Sequence, residues 1–312
     1  MEPVVINTRK FKESLTFLKI PFREEMNCND FSIFKMEDLD MNLPCQMPVF
    51  RPDHFSIILI SQGSAVYHAG DTTYPISSNN ILFVRPNAFL FSEWSSVTKA
   101  YIITFRKQFL YHYWPAAVDH IQKLERGETF SAVLTKELME IFDNICSEIY
   151  NQALSSTPYK YEIITNLLFN LLLLMQQYNL GTESEWAKKK YNSHAAAFLD
   201  AVDDNLSKIS SGETTELFDI NHYVESQHLN VNQLSKIIYN STGKTVSQWI
   251  QKKLMDEIKY LLKYSNKSIS TIAYSYGFND LNYFYSYFKK YTKTAPGIFR
   301  KNFKAPVINA VA

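Results

Sequence analysis

The stretch that decides the reading of this chain is Ser268–Arg300, SISTIAYSYGFNDLNYFYSYFKKYTKTAPGIFR. Ile269, Ile272 and Ala273 recur at helical spacing. Gly277-Phe278 then interrupts the pattern, as glycine does where a helix ends and the backbone needs a positive φ. A second helix is expected beyond it, with Tyr283, Phe284, Tyr287 and Phe288 on its inward side and Lys289-Lys290 at its end. Pro296 stands just inside the start of a last short helix. Helix, tight glycine turn, helix is the unit that lays its second helix in a DNA major groove.

These residues resemble the second helix-turn-helix of AraC/XylS-type transcription regulators. The family pattern runs I-x-x-I-A-x-x-x-G-F-x-x-x-x-Y-F-x-x-x-F-K-K, followed by a proline and then an arginine. Here it is met by Ile269, Ile272, Ala273, Gly277, Phe278, Tyr283, Phe284, Phe288, Lys289, Lys290, Pro296 and Arg300. Lys293 departs from it, standing where the family usually has glycine, so a less sharp turn is expected there.

Outward from this stretch, the segment before it holds a first unit of the same kind. Phe198, Leu199, Val202 and Leu206 mark an entry helix, and Ile220–Glu225 a short one. His228-Leu229-Asn230 reads as the turn and Val231–Tyr239 as the first recognition helix. Gly243 ends that helix, and Thr245 with Gln248 forms a capping box for the next. The helix from Val246 to Tyr264 resembles the helix that joins the two DNA-binding units of the family. Lys253 replaces the family's arginine, and Ile258 a small residue, which calls for a roomier helix contact. Such a helix of about 19 residues is roughly 28 Å long, compatible with two groove segments one turn apart.

The resemblance implies that outward residues of the recognition helices meet base edges. The matching positions are Asn232, Ser235, Lys236 and Tyr239 in the first helix, and Leu281, Asn282, Tyr285 and Ser286 in the second. Asn232 and Asn282 suit an adenine edge and Lys236 a guanine edge, while Leu281 and Tyr285 offer apolar contact. The first unit is therefore expected to carry most of the sequence reading. Lys289 and Lys290 are the phosphate candidates.

Charge distribution agrees. The whole chain of 312 residues has a formal net charge of only +1, yet Lys244–Lys304 holds twelve basic residues against Asp256, Glu257 and Asp280, an excess of nine. That is the footprint of a phosphate-binding surface, although a solvated lysine face would leave the same count. The composition, 46% hydrophobic and 20% charged, is that of a globular protein with room for two cores. Cys28, Cys45 and Cys146 are scattered and odd in number, with no C-x-x-C, so neither a disulfide framework nor a zinc site is indicated. The N-terminus has no signal-peptide pattern, and the most apolar segment, Leu167–Met175, is about half the ~20 residues of a membrane span. A cytoplasmic protein without a membrane anchor is expected.

Between Arg51 and Phe109 the texture is β: FSIILI, AVYH, TTYPI, ILFVRP, FLFSEW and AYIITF, separated by turn signals at Gln62-Gly63-Ser64, Ala69-Gly70-Asp71 and Ser77–Asn80. This order resembles the cupin-like effector domain of AraC-type regulators, a β-barrel whose interior can hold a small molecule. Phe55, Ile57, Leu59, Tyr67, Phe83 and Trp94 alternate as lining residues would, and they equally suit simple packing. His54, Phe55, Tyr67, Phe83 and Trp94 are the ligand-binding candidates. His54 and His68 lie fourteen apart with no H-x-H pattern, so no metal and no cofactor is expected.

Leu134, Leu138, Ile141, Phe142, Ile145 and Ile149 then form one helical stripe. A second helix, apolar over more than one face, follows Thr157-Pro158. By the resemblance these helices make a homodimer contact; they equally suit covering their own barrel. Polar residues 181–195 read as a linker.

The expected architecture is therefore α+β and multidomain: a cupin-like effector and dimerisation domain over 1–180, a linker over 181–195, and an all-α double helix-turn-helix domain over 196–304. The implied function is sequence-specific transcription regulation on double-stranded DNA, switched by a small molecule, with RNA polymerase as a partner if the chain is an activator. The alternative is a cupin-barrel enzyme or small-molecule-binding protein with an appended interaction domain. No nucleophile elbow, phosphate loop or metal cluster is present to favour an enzyme.

Overall fold

A computed structural model describes residues 8–9, 28, 30–39, 41–70, 72–87, 89–114, 129–178, 180 and 193–302. Asp71 of the expected turn, 181–192 of the expected linker and Lys304 lie outside the described residues. The chain divides into two compact units, one holding Arg9–Lys188 and the other Lys189–Val307.

The first unit is built on seven strands: β1 (Phe31–Lys35), β2 (Cys45–Gln46), β3 (Phe55–Ala69), β4 (Thr72–Ile76), β5 (Asn80–Val84), β6 (Leu90–Phe105) and β7 (Phe130–Val133). They pair antiparallel in the order β1-β6-β3-β5-β7, with β2 added to β6 and β4 to β3. The ladder is an open path, and its end strands β1 and β7 do not pair with each other.

Curvature does what closure would do. Ile58 and Tyr67 lie nine residues apart on β3, about 30 Å in a straight strand, yet both line one cavity. The bend is at Ile60–Ala65, where the β3–β6 register shifts three times. Gln62-Gly63-Ser64, expected as a turn between strands, is instead the irregular middle of one 15-residue strand. FLFSEW and AYIITF likewise belong to the single 16-residue strand β6. Gly63 has φ 152°, and a Cβ there would sit 2.7 Å from the Ser96 carbonyl oxygen. Only glycine lets the two strands approach so closely at the bend.

The irregularity also changes which residues face inward. Before it, Ile58 and Ile60 face the curled interior while Phe55, Ile57 and Leu59 face the other side; after it, Ala65, Tyr67 and Ala69 face the interior. One extra residue has switched the parity of the strand.

The outer face of the sheet is covered by α1 (Lys107–Tyr113), α2 (Lys136–Leu154) and α3 (Lys160–Gln177). The Thr135 side chain caps α2 by accepting from Leu138 N. Its buried stripe is Met139, Phe142, Cys146, Ile149 and Ala153. Ile141, expected on that stripe, is 40% exposed, and Leu134 precedes the helix.

Over the described residues 193–302 the regular structure of the second unit is helical: α4 (Ser193–Ser211), α5 (Ile220–Ser226), α6 (Val231–Thr242), α7 (Val246–Tyr264), α8 (Ile269–Ser275), α9 (Leu281–Thr292) and α10 (Pro296–Asn302). Helix α4 starts inside the expected linker, and Ala195 is fully buried. It contributes Phe198, Val202, Leu206 and Ile209 to one core shared with all the other helices of this unit. The buried Asn205 amide donates to Glu216 O and accepts from Phe218 N, holding the segment that leads into α5. Asp203 pairs with Lys253 of α7 at 2.8 Å. Ile258 is fully buried in this core.

Candidate nucleic-acid interface

The two helix-turn-helix units repeat each other at an offset of fifty residues. Asn230 caps α6 and Asp280 caps α9 through their side chains. Leu234 and Ile238 are matched by Phe284 and Phe288, all fully buried. Thr242 Oγ1 donates to Ile238 O and accepts from Lys244 N; Thr292 Oγ1 donates to Phe288 O and accepts from Thr294 N. Helix α6 ends at Gly243 with φ 70°, and α9 ends at Lys293 with φ 63°. The turn at Lys293 is therefore as sharp as the one at Gly243, contrary to the expectation from its side chain.

Burying Leu234 and Ile238 sets the opposite face of α6 outward. Asn232, Lys236 and Tyr239 are exposed and Ser235 is half-buried. Gln233 is committed locally: its side chain accepts from Asn230 N while its own N–H donates to Asn230 Oδ1, a complete capping box. On α9, Asn282, Tyr285, Ser286, Lys289 and Lys290 are exposed. Leu281 is half-buried and packs against the core, so its side chain is only partly available to a base. Tyr283, expected inward, is 61% exposed and forms an aromatic row with Tyr287 and Tyr291. The Tyr291 hydroxyl donates to Gln251 Oε1 of α7, which ties α9 to the connecting helix.

The basic excess is less free than its count. Lys252 and Lys259 both pair with Asp256, and Lys253 pairs with Asp203. Arg300 donates to Leu262 O at 3.1 Å and to Lys267 O at 2.8 Å, capping the end of α7 from α10. Burial lowers its pKa from the ordinary arginine value. Lys244 lies 4.9 Å over the Trp249 ring, whose Nε1 donates to Thr242. Lys289 and Lys290 sit in the exposed last turn of α9.

In the first unit, the curled sheet encloses a cavity of about 570 Å³ of empty space, its open mouth included. Of the five ligand candidates, His54, Tyr67 and Trp94 line it. Phe55 and Phe83 do not: they stack on one another at 5.8 Å on the outer face, among the residues that meet the helices. Their strand parity upstream of the Gly63 bend points them away from the cavity. Ser56 and Thr104, which the sequence did not single out, face each other across β3 and β6 and line it, with Phe34, Phe50 and Ile102. A glycine between two polar residues inside an apolar run was the signal that the alternation changes there.

His54 is fully buried, and desolvation pushes its pKa down in spite of Asp53, 3.3 Å away. Burial raises the Asp53 carboxyl, but hydrogen bonds from His54 and Arg106 outweigh it and hold the pKa below the ordinary value. Arg106 is also 3.3 Å from Asp30. His68 stacks on Phe91 at 4.1 Å and lies 3.6 Å from Glu93. Among the described residues no helix is long and apolar enough to cross a membrane.

Two helix-turn-helix units on one continuous connecting helix define a DNA-binding protein. Residues 223–302 match the family model described as a helix-turn-helix domain. The chain is 20% identical over 258 residues to the HTH-type transcriptional activator RhaR of Mannheimia succiniciproducens, covering 82% of this chain and 88% of the relative. It is 22% identical over 260 residues to the activator RhaS of Pectobacterium carotovorum subsp. carotovorum, covering 81% and 87%. Among solved structures, ToxT from Vibrio cholerae is 15% identical, covers 88% of this chain and 99% of its own, and has a TM-score of 0.40. The chain thus carries a helix-turn-helix domain and over most of its length is similar to HTH-type transcriptional activators, as a DNA-binding transcription regulator would be.

Proposed function

We propose that the chain activates transcription from a DNA site spanning two major-groove segments, under control of a small molecule held in the curled sheet. The observation that carries this is the paired geometry: two units with the same caps and core positions, joined by the single 19-residue helix α7. The activator names of the relatives support activation, with RNA polymerase as the partner. They equally support a non-enzymatic role over a cupin-barrel enzyme.

Asn232, Ser235, Lys236 and Tyr239 then read bases in one segment, and Leu281, Asn282, Tyr285 and Ser286 in the next. Lys289 and Lys290 hold phosphates. In this reading residues 1–180 sense and dimerise through α2 and α3, where Ile163 and Leu173 are exposed apolar residues. The segment 181–195 separates them from the DNA-binding part, 196–304, and the protein acts in the cytoplasm as a homodimer. A gel-shift titration against the DNA upstream of its own gene, repeated over a salt series, tests the reading. Binding at one site with a steep salt dependence is expected; absence of salt-sensitive binding would end it.

A further inference from the structure

The cavity carries chemical information about what enters it. Its walls are mainly Phe34, Phe50, Ile58, Phe91, Trp94 and Ile102, so most of any occupant must be apolar. Its polar lining residues are His54, Tyr67 and Ser92 and, paired across β3 and β6, Ser56 and Thr104, with Ser32 continuing that row on β1 opposite Thr104. Thr104 is 4% exposed, and its Oγ1 is sealed from solvent with no hydrogen-bond partner among the described residues. An unsatisfied buried hydroxyl is costly unless something in the cavity bonds to it.

The charge beside this row selects further. Arg106, two residues beyond Thr104, is held by both Asp30 and Asp53, and Asp53 also touches the cavity-lining His54. That cation is therefore already engaged, and among the described residues lining the cavity none is a lysine, arginine, aspartate or glutamate. A ligand carboxylate would be desolvated there with no lining cation to pair with it. An ammonium would likewise be desolvated against hydroxyls with no lining carboxylate to pair with it.

We infer that the cavity takes an uncharged, mostly apolar molecule ending in a hydroxyl or carbonyl, which hydrogen-bonds to Thr104 and Ser56, and that it discriminates against the carboxylate or amine of the same skeleton. This rests on the cavity being the effector site, and the test separates the two ideas.

Equilibrium dialysis of the full chain near neutral pH would compare 1-decanol, decanoate and decylammonium, each below its aggregation limit. Decanol is expected to bind at least ~10-fold tighter than either ion. Thr104→Val, which keeps the shape and suits a strand, should weaken decanol about tenfold, or ~1.4 kcal/mol. Ser56→Ala should weaken it as well, and Ile58→Trp, which fills the cavity, should abolish it. Decanoate or decylammonium binding as well as decanol would overturn the inference. So would no binding by any probe, or unchanged decanol affinity in both hydroxyl variants. If decanol binds as expected but leaves DNA affinity untouched in a gel shift, the ligand class stands and the effector reading fails.

Discussion

Gly243 and Lys293, fifty residues apart, occupy the same left-handed position one residue past a recognition helix, with φ of 70° and 63°. Each N–H donates to the carbonyl four residues back, to Tyr239 and to Lys289. The backbone demands the same conformation in both units and only one of them supplies glycine. A lysine in the left-handed region costs about 1–2 kcal/mol, offset in part by the chain entropy that glycine loses on folding. Lys293→Gly should therefore raise stability by up to ~1 kcal/mol, and Gly243→Ala should lower it by about 1 kcal/mol. Urea denaturation of the full chain checks both signs; destabilisation by Lys293→Gly would contradict the shared-cap account.

Gly63→Ala should destabilise the first unit by about 2–4 kcal/mol. The new Cβ would meet the Ser96 carbonyl at 2.7 Å in a backbone conformation that L residues rarely adopt. Near-UV circular dichroism and thermal melting would show it, since Tyr67 and Trp94 depend on this bend for their inward placement. A variant melting with the parent would mean the bend is held by other contacts.

DNA binding should separate the outward residues into two kinds. Lys236→Ala is expected to cost about 1–3 kcal/mol on the preferred site and little on altered ones. Replacing Lys289 and Lys290 together should weaken binding on all sequences and reduce the salt slope by about 0.9 for each phosphate no longer neutralised. Equal losses on every sequence for Lys236→Ala would remove its base-reading role.

Arg300→Ala should behave differently from those lysines. Its two hydrogen bonds close the end of α7, at Leu262 and Lys267. The expected loss is about 1.5–3 kcal/mol of stability, with the salt slope of DNA binding unchanged. A reduced slope at normal stability would show instead that the guanidinium faces phosphate.

His54 makes the first unit sensitive to acid. Its pKa is depressed in the fold by burial from an ordinary 6.5, so the native state favours neutral imidazole. That contribution is fully present above 6.5 and is lost as pH falls from there through the depressed native value, at up to ~1.4 kcal/mol for each unit of pH. Asp53, held below its ordinary 3.8, adds a second loss in more acid solution. Melting temperatures between pH 7 and pH 5 should fall for the parent and fall less for His54→Gln; parallel curves would exclude His54.

Much of the second unit is legible in the sequence. Thr245 announces a helix start and Gly243 and Gly277 announce stops, because caps act through hydrogen bonds within a few residues. The buried spacing of Leu234, Ile238, Phe284 and Phe288 is equally local. What escaped was partnership: that Lys253 belongs to Asp203, Lys252 and Lys259 to Asp256, and Arg300 to two carbonyls more than thirty residues earlier. A count of charges cannot see which are already paired.

The sheet shows the same division more sharply. Sequence alone determined that the stretch from Arg51 is β, though the strands stop at Phe105 and Phe109 lies in α1, that Ser268–Arg300 is a helix-turn-helix and that a second such unit precedes it, since periodicity and capping are written residue by residue. Only the tertiary structure decided that Gln62-Gly63-Ser64 bends one strand instead of ending it, and thus that Tyr67 faces the cavity while Phe55 faces the helices. The physical reason is that side-chain facing in a strand has a period of two. A single irregular residue at a close strand crossing reverses every position beyond it.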